Sequence, residues 1–207
     1  QTIRTYYDFL DVDIDRYTVD NEYRQVMLSA RELSKEKLPS QAQTWLNQTL
    51  QYTHGYGVAM SPVNEVSPEG GLPNLWLQDI PPVGKVDFTR PEIYYGEKTR
   101  DYVIVGTNTE EFDYPVGNTN AWTTYAGTGG VPIGNLFRRA MYAWEFSDFN
   151  ILISSQITSD SKILYHRQVR KRVNRIAPFL SLDTDPYVVI LDGRLLWVVD
   201  CYTTSDR

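Results

Sequence analysis

Asp11-Val-Asp-Ile-Asp-Arg-Tyr-Thr-Val19 alternates acidic and apolar residues with a period of two, and Arg24 to Leu33 answers it after a turn at Asp20-Asn21. Alternation of this kind marks a strand with one packed and one solvated face, so the pair predicts an antiparallel hairpin. Asp11, Asp13 and Asp15 would share a face. Alternate strand positions stand about 7 Å apart and no loop supplies carbonyl ligands, so a solvated edge is expected there rather than a calcium site.

Working outward, the chain closes on a second hairpin, Tyr187 to Leu191 and Arg194 to Cys201 around the Asp192-Gly193 turn. Glu92 to Glu97 and Asp101 to Val105 read as further strands. Three helices are expected: Gln41 to Tyr52 capped by Ser40, Leu136 to Phe149, and Lys162 to Ile176 capped by Asp160 or Ser161 and ended by Pro178. Six prolines between Ser61 and Pro91 forbid long regular elements and predict a packed meander. The fold class is therefore α+β, with mixed, mostly antiparallel strands and about three main helices. No period of 20–50 residues recurs, and residues 1–207 are expected to form a single domain.

The 207 residues suffice to bury a core without disulfide or metal staples. Net charge is −6 and uneven: 10 basic and 18 acidic residues in 1–134 give −8, and 10 basic and 8 acidic in 135–207 give +2. An acidic chain argues against general nucleic-acid binding, which needs net cationic charge. Cys201 is the sole cysteine, and His54 and His166 are the only histidines. Neither an internal disulfide nor a zinc ligand set with proper spacing follows from these, so no metal or cofactor is expected. The apolar runs, such as Leu195 to Val199, are far shorter than the roughly 20 residues needed to cross a bilayer. Because the chain starts at Gln1 and stops just after a strand pattern, both ends read as cuts in a longer protein.

Candidate site residues gather around Thr44 to Pro62, which passes from a helical pattern into the aromatic, glycine-punctuated loop Thr53-His54-Gly55-Tyr56-Gly57 and then an apolar run. The loop from His54 to Tyr56 is expected to rim a functional surface, His54 ordering it rather than acting as a base. Carboxylates interleaved with aromatic rings offer a second group, from which Tyr95, Glu97, Asp113 and Trp122 are taken; two facing carboxylates would suit glycoside cleavage. Asn118 to Asn135, rich in Gly, Thr and Asn, reads as a long functional loop. Within it, Gly127 to Gly134 lacks both nucleotide fingerprints, since Pro132 stands where a glycine is required and Asn135-Leu136 where Lys-Ser/Thr is required. Helix Leu136 to Phe149 is apolar on most faces and is expected to be central. Arg138 and Arg139 inside it need partners, whether carboxylates, loop carbonyls or a bound anion. The cations Arg167, Arg170, Lys171, Arg172 and Arg175 could meet RNA or acidic lipid, but in an acidic domain they are expected to pair with the chain's own carboxylates.

The runs YTHGYG, GLPNLWLQDIPP, EIYYGE, FDYPVGN, GGVPIGNLFRRAMYAWEF, HRQVRKRVNRIAPF and GRLLWVVDCYTTSDR resemble the uncharacterised protein family 0182, essentially from Asp11 onward. The resemblance implies an extracytoplasmic domain from a multi-pass bacterial membrane protein and carries over no catalytic residues. On that basis the expected function is a binding or scaffolding module at the cell envelope. Its partners would be the transmembrane helices and remaining ectodomain of the same polypeptide, or an envelope ligand or protein, with no nucleic acid. The alternative is an envelope hydrolase using paired carboxylates, with glycans as a candidate substrate.

Overall fold

The computed structural model describes residues 7–9, 11–66, 71, 73–117 and 119–205. The chain divides into two compact units of interleaved segments. A strand-rich unit holds Tyr7–Leu33, His54–Thr99 and Gln168–Arg207, and a helix-bearing unit includes Ser34–Thr53 and Arg100–Arg167.

In the strand-rich unit, β1 (Tyr7–Phe9), β2 (Asp13–Val19) and β3 (Glu22–Leu33) open the chain. The expected hairpin forms in the register Val19↔Glu22 to Asp13↔Leu28. Asp20 and Asn21 both take positive φ, 53° and 63°, the twist that a two-residue hairpin turn requires. β3 also pairs with β1 along its far half and with β5 (Val58–Pro62), so Val26 to Glu32 lies in the middle of a sheet and is largely buried whatever the residue type. Between β3 and β5 in sequence comes β4 (Gly55–Tyr56). The proline-rich stretch is packed as expected, with β6 (Leu77–Gln78) and β7 (Val83–Gly84) extending the sheet and β8 (Glu92–Ile93) pairing with β4.

The helix-bearing unit contains a three-stranded sheet of β9 (Val103–Val105), β12 (Val131–Pro132) and β13 (Lys162–Leu164), and a hairpin of β10 (Glu111–Val116) and β11 (Thr119–Thr123). Its helices are α1 (Leu136–Glu145) and the short α2 (Asn150–Ile153). The chain then re-enters the strand-rich unit with α3 (Val169–Ile176), β14 (Ser181–Leu182), β15 (Tyr187–Leu191), β16 (Arg194–Val198) and β17 (Cys201–Tyr202). The second expected hairpin forms around Asp192 and Gly193, again both at positive φ. It is fixed by Val188 N–H donating to Asp13 Oδ2 (2.8 Å) and Ile190 N–H donating to the Tyr17 hydroxyl (2.7 Å).

All named strand pairs are antiparallel, so the chain is a mixed α+β protein of several small sheets. Each unit has its own core. One is centred on Val26, Leu28, Val58, Met60, Leu77 and Val188, the other on Leu50, Ile104, Ile133, Ile151 and Ile163.

Three sequence expectations are corrected. Gln41 to Tyr52 is not one helix capped by Ser40: Ser40–Ala42 is a 3₁₀ turn, and a separate helical stretch ends in a π-helical turn over Asn47–Gln51. The Gln43 side chain folds back to donate to Leu38 O (2.8 Å), and Thr44 Oγ1 accepts from Asn47 N–H at the start of the second stretch. Lys162 to Ile176 is a strand and then a helix. Ile163 and Leu164 are fully buried on pairing with β9, His166 breaks the run at φ 50°, and the Gln168 side chain, not Asp160 or Ser161, caps α3. The loop expected from Asn118 to Asn135 is interrupted by β11 and β12 and stays irregular over 124–130 and 133–135, with Asn118 itself outside the described residues. The strands expected at Glu92 to Glu97 and Asp101 to Val105 shorten to β8 and β9.

Candidate interaction surface

α1 starts at Asn135, whose Oδ1 accepts Arg138 N–H at 2.8 Å, and stops at Phe146 and Ser147, the latter at φ 52°. At about 100° per residue, two apolar arcs run along it. Tyr142, Ala143 and Phe146 face the core, packing with Leu50, Ile104, Ile151 and Ile163. Leu136, Phe137, Ala140, Met141 and Trp144 fall in the other arc, about 140° wide. That arc is uncovered: Leu136 is 68% exposed, Phe137 74%, Met141 56% and Trp144 88%. Arg138 and Glu145 form only a narrow polar strip between the two arcs. The expectation of a central helix is thus corrected, since only Ala143 of α1 is fully buried.

The surface is held rigidly from behind. Asp148 follows α1, returning its N–H to Ala143 O (2.9 Å) and accepting from Trp45 Nε1 (2.7 Å), the Tyr102 hydroxyl and Asn150 N–H (3.0 Å). Arg139 then clamps α2: its Nε donates to Ile151 O (3.0 Å), and its Nη2 to Leu152 O (2.8 Å) and Ser154 O (2.6 Å). Arg138 donates to Pro132 O (3.1 Å) at the surface. Backbone carbonyls therefore hold both guanidiniums, Arg138 that of Pro132 in β12, and Arg139 those left open at the end of α2. α2 contributes Ile151 to the core and leaves Ile153, with Phe149 before it, exposed.

Of the other sequence-predicted residues, Asp113 is the extra residue of a β-bulge, where the β10–β11 register shifts between Phe112 and Tyr114. Trp122 lies across from it, half-exposed, its ring edge-on to Phe112 at 6.2 Å. These two belong to the helix-bearing unit with Arg138 and Arg139, whereas His54, Tyr56, Tyr95 and Glu97 belong to the strand-rich unit. His54 is not on an exposed rim. It is fully buried with its ring 4.7 Å from that of Tyr94, and Gly55 and Tyr56 form an interior strand paired to Ile93 and Glu92. A Cβ at Gly55 would stand 2.2 Å from Arg31 O, so the glycine serves close backbone approach rather than a free loop. Tyr95 lies beneath the Arg172 guanidinium at 4.6 Å, and its carbonyl accepts from Trp197 Nε1 at 2.8 Å.

Glu97 is set by a residue that the sequence did not single out. Buried Glu32 accepts the N–H groups of Glu97 (2.6 Å), Lys98 (3.1 Å) and Thr99 (3.0 Å) and the Thr99 hydroxyl (2.8 Å). This turn brings the Glu97 carboxylate within 4.8 Å of those of Asp11 and Asp185. Burial, then the nearby charges of Asp11, Glu32, Asp13 and Asp185, push Glu97 up to about 7. Such a trio can share a proton or meet a cation, but two of the three groups are exposed and carboxylates gather at surfaces without either role. No sequence spacing could have shown it, because positions 11, 97 and 185 meet only through the sheet.

The apolar surface of α1, the clamp behind it and the two small cores belong to a chain of the uncharacterised protein family UPF0182, which matches residues 1–207 in full. Curated UPF0182 proteins of Pelotomaculum thermopropionicum and Trichodesmium erythraeum are each 54% identical over all of this chain. One of Cupriavidus necator is 56% identical over 99% of it. In each case the chain spans about 23% of the relative's length. No solved structure matches it.

Proposed function

We propose that this chain is a non-catalytic interaction module, on the extracytoplasmic side of a multi-pass membrane protein, whose α1 surface docks onto another part of the same long polypeptide. The observation that carries the reading is the uncovered apolar arc of Leu136, Phe137, Met141 and Trp144. A helix apolar on both faces is ordinarily covered on both, and a contiguous exposed apolar patch marks a site of interaction. The occupant is argued from chain length: about three quarters of a related polypeptide lies outside the stretch matched here, so covering surface is available at high effective concentration. Among the described residues no helix is long and apolar enough to cross a membrane, so the membrane-spanning segments implied by the family resemblance would belong to that remainder.

The test uses the longer polypeptide with a benzophenone amino acid in place of Trp144. Irradiation is expected to give cross-links that map by mass spectrometry to peptides of the same chain beyond this stretch. Cross-links confined to lipid, to a second copy or to a different protein would overturn the reading. The alternative of an envelope hydrolase would draw on Asp11, Glu97 and Asp185. Carboxylate clustering is its whole support, and the apolar surface is the larger departure from an ordinary exterior.

A further inference from the structure

Residues 161–182 contain six cations and no carboxylate, within a chain whose net charge is −6. Two of these cations are absorbed structurally: Arg172 stacks on Tyr95, and Arg167 donates to the carbonyls of Thr53 and Asp101. Arg170, Lys171 and Arg175 of α3 remain exposed, and among the described residues no carboxylate forms an ion pair with them. The expectation of pairing with the chain's own acids is therefore corrected for Arg170, Lys171 and Arg175 among the described residues. Val169 and Val173 turn inward, with Val169 N–H donating to Gly96 O (2.9 Å), and this seats the opposite arc outward.

Arg170, Lys171 and Asn174 line a shallow concavity of about 350 Å³ together with Gln168 and Leu182. Gln168 uses its Oε1 to accept Lys171 N–H, so the side chains left facing solvent there are hydrogen-bond donors and cations with no acid among them. Beyond the end of the helix Phe179 is 74% exposed, while the exposed Ile176 falls on the arc of Val169 and Val173 and not on the cationic one. Cations with an exposed aromatic side chain shortly after them match an interfacial helix end, in which charge meets headgroup phosphate and the apolar group enters the acyl boundary.

We infer that the α3 edge docks on an anionic lipid surface. The concavity of Arg170, Lys171 and Asn174 receives a headgroup phosphate, and Phe179, beyond the end of the helix, enters the acyl boundary. Charge complementarity selects an anionic occupant, and the exposed phenyl ring selects a bilayer over a purely polar polyanion. The inference is independent of what covers α1.

The 207-residue chain is co-sedimented with phosphatidylcholine vesicles and with vesicles containing phosphatidylglycerol. Binding to the anionic vesicles is expected to be about tenfold tighter or more, at about one order of magnitude per one to two engaged cations, and to fade at high salt. The triple variant Arg170→Gln, Lys171→Gln, Arg175→Gln should fall to the phosphatidylcholine level, and Phe179→Ser should weaken anionic-vesicle binding several-fold. Equal binding to both vesicle types, unaltered by the triple variant, would assign the contact to the apolar α1 surface and overturn the inference. Tighter binding to poly-U RNA than to vesicles at the same salt would overturn it in favour of nucleic acid, and saturable inorganic phosphate binding without vesicle binding in favour of a free anion.

Discussion

β3 and α1 invert the usual relation between composition and burial. β3 carries Arg31 and Glu32 into the interior of the strand-rich unit, whereas α1 holds Leu136, Phe137, Met141 and Trp144 in solvent. Polar groups can be interior when donors and acceptors meet them. Glu32 is answered by three backbone N–H groups and a hydroxyl, and Arg31 reaches Asp79 O at 3.1 Å. Apolar groups have no such requirement to be inside, only a free-energy gain if they are. The exposed apolar arc therefore leaves a free-energy gain unrealised within the described chain, whereas the buried Glu32 carboxylate already has its partners in place.

Removing Glu32 attacks the first half of that comparison and carries the largest expected effect. Glu32→Ala strands the donors of Glu97, Lys98 and Thr99 in a packed turn, and is expected to cost about 3–5 kcal/mol in urea unfolding. Amide hydrogen exchange at residues 97–99 should lose its protection in the same variant. A cost under about 1 kcal/mol would show that water replaces the carboxylate freely and that β3 is buried in name only.

Glu97 tests the same turn through pH. Its folded-state value near 7 lies above the ordinary carboxylate value of 4.5, so between those limits the folded chain binds more protons than the unfolded chain. Stability contributed by this group is complete at acid pH and is lost as pH rises through about 7. Glu97→Gln should therefore raise the melting temperature at pH 8 by about 1–3 °C, solvent screening keeping the effect small, and leave it unchanged at pH 4. A variant less stable than the parent at pH 8 would mean the carboxylate is held by an attraction rather than opposed by its neighbours.

The smallest expected effect is at α1. Trp144→Ser in the 207-residue chain should change its stability by less than about 0.5 kcal/mol, because the ring buries almost nothing within the described chain. In the longer polypeptide the same substitution is expected to cost 1 kcal/mol or more in unfolding, the scale of an aromatic side chain withdrawn from a packed contact. Equal small effects in both would remove the ground for a docking surface.

Hairpins were legible because their signals are local. The period of two from Asp13 to Val19 and the two-residue turns at Asp20-Asn21 and Asp192-Gly193 need only neighbours in sequence, but the choice of packed face does not: Ile14 is exposed, and Asp13, expected on a solvated edge, turns in to accept Val188 N–H. Helix boundaries were less so. Tyr165, Val169 and Val173 have helical spacing, yet Ile163 and Leu164 gain more by joining β9 in a sheet, a partner some sixty positions away that periodicity cannot register. Of the candidate site, the apolar character of Leu136 to Phe149 and the need of Arg139 for a partner are visible in the sequence, but the kind of partner and the direction each residue faces are not. Likewise the glycines around Tyr56 were noticed for conformational freedom, when Gly55 is required because β3 passes against it.

What the sequence by itself determined is the fold class, the two hairpins, the lack of a cysteine framework and the family, since all of these rest on residue identity and short-range order. What only the tertiary structure decided is which residues meet solvent. His54 went inside and Trp144 stayed out, the acids at 11, 97 and 185 came together, and Arg170, Lys171 and Arg175 were left without ion-pair partners among the described residues. The reason is physical: burial and electrostatic pairing are properties of distances between chain segments far apart in sequence, and those distances exist only once the sheets have closed.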